Sequence, residues 1–267
     1  MIALSALLAT ATGAICPDGV MHLDAPDDWL QGRTLYGGLS AALSYVTARH
    51  KLGDDLPLRS AQVAFIGPAQ GALSLRPQIL RRGRSVSFLS VDLVGDQGLA
   101  TRTAFCFGAA RPSAKAVALP PMPDVPAPES LAAVPLIEGA PAFIRHFDLR
   151  MAKGSFDNQA DMLIWLRHKD ESLWSDDGGV DPIFSLLALA DALPPAIIMG
   201  KGPMIPVSSM TWQINPLTPA PITRDGWFLM RSRAENAADG YSSQAMTTWA
   251  RDGRAVLSAQ QSIAIFG

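Results

Sequence analysis

Cysteine is almost missing from this chain. Cys16 and Cys106 are the only two in 267 residues, too few for a disulfide framework or a cysteine-built metal site. Histidine is sparse as well. His22, His50, His146 and His168 are scattered without metal-ligand spacing, so no metal and no cofactor is expected. Charge of one sign is lacking too. The net charge is −2, and no Lys/Arg cluster is large enough to track nucleic acid. The basic turn at Arg81, Arg82 and Arg84 suits at most a small anion such as a phosphate, and its other reading is a solvated turn. No G-x-S-x-G occurs, which disfavours a serine nucleophile elbow. No Lys or Arg precedes Arg33, so the basic start of a secretory signal is absent. The uncharged stretch 1–16 is short for a membrane span. It reads as a first helix packed on the body through Leu4, Leu7 and Leu8, with a cytoplasmic location as the default.

Apolar residues are plentiful: 48% of the chain is hydrophobic and 17% charged, enough for a substantial core. The chain is organised around residues 80–94. A turn built on Gly83 opens onto Val86–Ser87–Phe88–Leu89–Ser90–Val91–Asp92–Leu93. Val86, Phe88, Ser90 and Asp92 point one way, and Leu89, Val91 and Leu93 the other, the period of a strand. A turn at Asp96-Gln97-Gly98 leads into a returning strand, 99–107. Residues 72–80 and 59–66 are strands before it, and 38–50 is an Ala- and Leu-rich helix upstream. A second series follows. Residues 147–151 and 162–169 are strand candidates. Asp181-Pro182 supplies an N-cap and a first helical proline, and the helix that follows stops at Pro194-Pro195. Strands over 208–214, 227–234, 244–250 and 255–266 complete it. The expected organisation is an N-terminal unit 1–111, a Pro- and Ala-rich linker 112–141 crossing the surface, and a C-terminal unit 142–267. Each unit leaves one sheet edge open, and two side by side could share one sheet.

Several polar residues stand out against this apolar frame. Asp191 lies late in an otherwise apolar helix, where a lone carboxylate faces a large desolvation penalty. Near a helix C-terminus it also opposes the macrodipole, so helix stability does not explain it. Its structural reading is an exposed polar position or a terminal cap. Gln261 sits on the apolar face Leu257, Ala259, Gln261, Ile263 of the last strand, where an amide can hold a water or a thioester oxygen; its structural reading is a surface glutamine like Gln260. Gly37 and Gly38 open the first long helix. They allow close approach of a ligand to free N–H groups, or simply tight helix–sheet packing.

Taken in order, Leu35-Tyr36-Gly37-Gly38-Leu39, Phe65-Ile66-Gly67-Pro68, the stretch from Leu80 to Phe88, Ser208 to Pro216 and Ser258-Ala259-Gln260-Gln261 resemble the acyl-CoA thioesterase II-type enzymes. The resemblance covers nearly the whole chain. It implies an α+β fold, a double hotdog of two antiparallel sheets joined edge to edge, each wrapped around a central helix. It implies hydrolysis of acyl-CoA by a water positioned by Asp191, Gln261 and a serine hydroxyl. Pro206 falls opposite the family's hydroxyl, a departure from its pattern, so Ser208 is the expected substitute; Ser209 would point away if the strand is regular. Gly37 and Gly38 would present a donor to the thioester oxygen, and Arg84 would meet coenzyme A phosphates. Phe65, Phe88, Met210 and Trp212 are candidates for an acyl slot or for ordinary core. The alternatives are a non-catalytic acyl-CoA binding protein and an acyl-thioester hydratase or dehydratase, the latter disfavoured because neither helix carries a His–Asp pair. A homodimer is the expected assembly.

Overall fold

The computed structural model describes residues 1–53, 55–153, 160–174, 179–199 and 205–266. Thirteen strands and three α-helices are described. In the first half these are α1 (Leu4–Gly13), β1 (Met21–Asp24), β2 (Leu30–Gln31), β3 (Thr34–Leu35), α2 (Gly37–Leu52), β4 (Leu58–Phe65), β5 (Ala72–Arg82), β6 (Val86–Gly95) and β7 (Gly98–Gly108). In the second half they are β8 (Phe147–Lys153), β9 (Asp161–His168), α3 (Pro182–Ala190), β10 (Val207–Pro216), β11 (Phe228–Ala238), β12 (Tyr241–Ala250) and β13 (Ala255–Ile265). No described helix is long and apolar enough to cross a membrane.

Eleven strands form one antiparallel sheet in the order β1-β5-β6-β7-β4-β10-β13-β12-β11-β9-β8. The expected two sheets are therefore one continuous sheet. The open edge of each half, β4 and β10, is closed by the other, with Thr211 opposite Ala64 and Trp212 opposite Val63. Pairing these two edges satisfies backbone groups that would otherwise template association with other chains. β2 and β3 form a separate two-stranded hairpin.

The alternation expected for β6 is present: Leu89, Val91 and Leu93 are fully buried. They face α2, whose buried positions run from Gly38 to Leu52. Phe88 lies on the opposite face and is 41% exposed, so it lines no acyl slot. In α1, Leu4, Leu7 and Ala11 are buried and Leu8 is half-buried. Helices α2 and α3 run antiparallel. The Tyr45 hydroxyl donates to Asp181 at 2.7 Å near the start of α3, while Gly37 meets Asp191 at its end. Asp181 accepts from the Ile183 N–H as the N-cap that the sequence predicts.

Residues 112–141 carry little regular structure, but they do not hang free. They cover the outer face of the second half, where Leu163, Trp165, Trp227, Leu229 and Trp249 form a second buried cluster with Met122, Val125 and Leu131. Two indoles hold the segment: Trp249 Nε1 donates to the Pro120 carbonyl and Trp165 Nε1 to the Pro126 carbonyl, both at 2.9 Å.

Candidate functional site

The site lies where the end of α3 meets the start of α2. Asp191 is the first residue past the last turn of α3. At that end the helix dipole opposes its charge, but the carboxylate points at the N-terminus of α2, where free N–H groups and the opposite dipole end favour it. The two glycines make this approach possible. A β-carbon on Gly37 would lie 2.6 Å from Asp191 Oδ2 and 3.0 Å from the Phe65 ring, and one on Gly38 would lie 2.5 Å from the Tyr36 hydroxyl oxygen. The Tyr36 ring stacks on Phe143 at 4.0 Å, which ties the start of α2 to the second half.

Gln261 reaches the same carboxylate from the sheet. Its Nε2 donates to Asp191 Oδ1 at 2.6 Å. It lies on the inner face, directly opposite Trp212 on one side and Gln244 on the other. Gln244 Nε2 donates to Gln261 Oε1 at 2.6 Å, so both ends of the Gln261 amide are engaged. Burial pushes the Asp191 carboxyl up to about 7, against the opposing pull of Gln261 and of the Gly38 N–H. A carboxyl poised there is half ionised near neutral pH, the range that suits a general base. Tyr36 is fully buried, and among the described residues its hydroxyl has no partner within ordinary hydrogen-bond geometry; burial first, and then the Asp191 charge, raise its pKa well above the ordinary range.

A cavity of about 420 Å³ opens beside this cluster, with Asp191 in its wall. Gly37, Ser40, Phe65, Thr101, Asp191, Ser208 and Ser209 line it, with Gln31, Arg33 and Thr34 of the β2–β3 hairpin at its rim. Among the described residues no group of three or more His, Cys, Asp or Glu could hold a metal ion.

Two family models cover most of the chain. The acyl-CoA thioesterase N-terminal domain matches residues 25–108, and the acyl-CoA thioesterase C-terminal domain matches residues 117–265. The chain belongs to the acyl-CoA thioesterase family. No curated protein matches it. Among solved structures, a conserved protein with a hotdog fold from Alicyclobacillus acidocaldarius superposes with a TM-score of 0.84 at 22% identity, covering 98% of each chain. The tesB protein of Mycobacterium avium subs paratuberculosis gives 0.80 at 18% identity over 99% of this chain and 100% of that one. Acyl-CoA thioesterase II TesB2 of Mycobacterium marinum gives 0.73 at 17% identity over 93% of each. At these identities the likeness establishes the hotdog fold.

Within this thioesterase the residues singled out from the sequence separate into two groups. Asp191, Gln261, Gly37 and Gly38 converge, and Ser208 lines the cavity beside them. Arg84 does not join them. Arg82, in the same turn, donates to the Leu52 carbonyl at the far end of α2. Sixteen residues at ~1.5 Å each separate that end from Gly37 by about 24 Å. Arg84 is exposed there and lines no part of the cavity.

The serine pair is also rearranged. β10 is not regular: a bulge between Ser209 and Thr211 shifts the register, so one extra residue flips the facing of everything beyond it. Ser209 pairs with Ile263, which is fully buried on the face of Gln261, whereas Ser208 pairs with Ala264 and is exposed. Among the described residues neither hydroxyl bonds to Asp191. Sequence reasoning missed Gln244, Tyr36 and Arg33. A glutamine between Ser242 and Met246 on the buried face of β12 carries the same signal that singled out Gln261. The Tyr36 hydroxyl had no such signal, because a tyrosine in an apolar cluster reads as core.

Proposed function

We propose that this thioesterase hydrolyses acyl-CoA at the Asp191 cavity, with Asp191 as general base. The observation that carries the reading is the 2.6 Å bond from Gln261 to a buried carboxyl poised near neutrality, on a cavity that also holds a helix N-terminus. A water on the Oδ2 side of Asp191 attacks the thioester carbon while its proton passes to the carboxylate. The carbonyl oxygen becomes an oxyanion, for which the Gly37 N–H at the start of α2 is the donor; such a donor is typically worth ~3 kcal/mol. As the oxyanion collapses, the carbon–sulfur bond breaks and the thiolate takes the proton from Asp191. Free acid and coenzyme A leave. Gln261 holds the carboxylate in place. The hydroxyl that helps to hold the water passes from Ser208 to Ser209, because the bulge turns Ser209 inward. The phosphate contact passes from Arg84 to Arg33, an exposed cation on the rim of the same cavity.

The test is thiol release from short, medium and long acyl-CoAs, with wild type beside Asp191→Asn. Loss of turnover in a folded variant supports the reading. Unchanged turnover in Asp191→Asn removes the proposed site. No turnover by wild type on any chain length, with acyl-CoA still bound, favours a binding protein.

A further inference from the structure

Behind Asp191 a chain of amides runs across three strands of the sheet. It begins at a group that cannot be turned around. The Ala196 backbone N–H, delivered just after the Pro194-Pro195 stop, donates to Gln244 Oε1 at 2.9 Å. A side-chain amide can be flipped, but a backbone N–H is always a donor, so this contact fixes which end of Gln244 is oxygen. The Ser232 hydroxyl donates to the same oxygen at 3.1 Å. The nitrogen of Gln244 must then face the other way, where it donates to Gln261 Oε1 and lies 3.7 Å from Met246 Sδ. Gln261 Oε1 is thereby an acceptor, and the end left for Asp191 is nitrogen. Ser232, Gln244 and Gln261 are each at most 4% exposed, so no bulk water competes for these bonds.

We propose that Gln244 is a positioning residue that locks the Gln261 amide with its nitrogen toward Asp191, with the Ala196 N–H as the fixed point of the chain. The idea rests on the reading of Asp191 as the base. Without the lock, Gln261 could present its oxygen to the carboxylate, which would favour the protonated acid and empty the base at neutral pH. The other groups facing Asp191 are the Tyr36 hydroxyl and the Gly38 N–H, and Arg33 is the cation lining the same cavity. None of them orients Gln261.

The experiment follows the Asp191 carboxyl carbon by NMR as a function of pH, beside the pH profile of kcat/KM. It uses wild type, Gln244→Met, Gln261→Met and the double variant. Gln244→Met is expected to raise the Asp191 titration by a unit or more, which from a starting value of about 7 lowers the ionised fraction at pH 7 about fivefold or more. Because Gln244 acts through Gln261, the double variant is expected to match Gln261→Met alone. An unmoved Asp191 titration in Gln244→Met, or effects that simply add, overturns the proposal. The carboxyl titration needs no substrate, so the two ideas fail separately. A shifted titration with no turnover in wild type keeps the relay and sinks the base. Asp191-dependent turnover with an unshifted titration sinks the relay alone. If Gln244→Met does not fold, wild type still decides. The Gln261 side-chain nitrogen should follow the Asp191 titration; a response in its carbonyl carbon instead would mean a reversed amide and overturn the lock.

Discussion

The two halves of the molecule share one architecture and divide the labour between them. Across the centre of the sheet, one row of inward residues reads Gln244, Gln261, Trp212, Val63, Thr103, Val91. On the C-terminal side of the junction Gln244 and Gln261 are polar and hydrogen-bonded to each other. On the N-terminal side Thr103 is the one polar member of the row, fully buried, with no hydrogen-bond partner for its hydroxyl among the described residues. The helices differ in the same sense. α3 ends in a carboxylate, whereas the buried Ser40, Ser44 and Thr47 of α2 spend their hydroxyls on carbonyls one turn back. One half supplies the Asp191 carboxylate and the amides that reach it; the other supplies a helix N-terminus bare enough to face it. The outer faces differ too: part of that of the C-terminal half, around Trp165, Trp227 and Trp249, is covered by 112–141, while that of the N-terminal half carries exposed Gln62, Arg76 and Gln78. A repeated fold thus yields one site, because only one repeat carries each part.

The largest break in this comparison should come from Asp191→Asn, which removes the base from the half that holds it. Turnover should fall by about 10²–10⁴, the usual contribution of a general base, measured as kcat/KM on the best acyl-CoA. Nearly as large should be Trp249→Ala, which unseals the outer face of the C-terminal half. A buried Trp→Ala change costs about 3–5 kcal/mol, readable by denaturant melts, and here it also strands the Pro120 carbonyl. Gly37→Ala tests the meeting of the halves. Its β-carbon would sit 2.6 Å from Asp191 Oδ2, so the carboxylate must move, and a drop in kcat of about tenfold or more is expected, since ångström-scale misplacement can cost ~10².

The strand pattern of the first half was legible because one sheet face is wet. Leu89, Val91 and Leu93 alternate with half-buried or exposed positions, and the period of two is plain. β9 shows no such alternation: Met162 to Leu166 are all buried, because the Pro-rich segment makes the outer face a second interior. That segment read as a linker, since prolines say nothing about the indoles waiting for their carbonyls. Asp191 and Gln261 were legible as polar residues in apolar settings. The bulge at Met210 was not, because no glycine or turn residue marks it, and it reversed the order of Ser208 and Ser209. Arg84 stands apart from the cavity for a different reason. Its turn and Gly37 stand at opposite ends of one helix, and no pattern in the sequence measures that distance.

A smaller effect separates the two roles of Asp191 by sign. The folded protein holds this proton until about pH 7, while the unfolded chain releases it near pH 4. Between those values the folded state binds more protons, so stability falls as pH rises and levels off above 7. Asp191→Asn removes that fall. At pH 8 the variant should be more stable than wild type by about 2–4 kcal/mol, and the difference should vanish near pH 3.5. A variant that loses activity yet gains stability only at neutral and alkaline pH identifies a carboxylate kept for chemistry. The counterpart on the other half is Gln62→Ala, on the exposed outer face of β4. It touches no base and no sealed surface, so its melt should stay within about 0.5 kcal/mol of wild type and its acyl-CoA turnover should be unchanged. A larger loss of stability there would mean that the outer face of the N-terminal half is covered in solution, and that the two halves are less different outside than they are within.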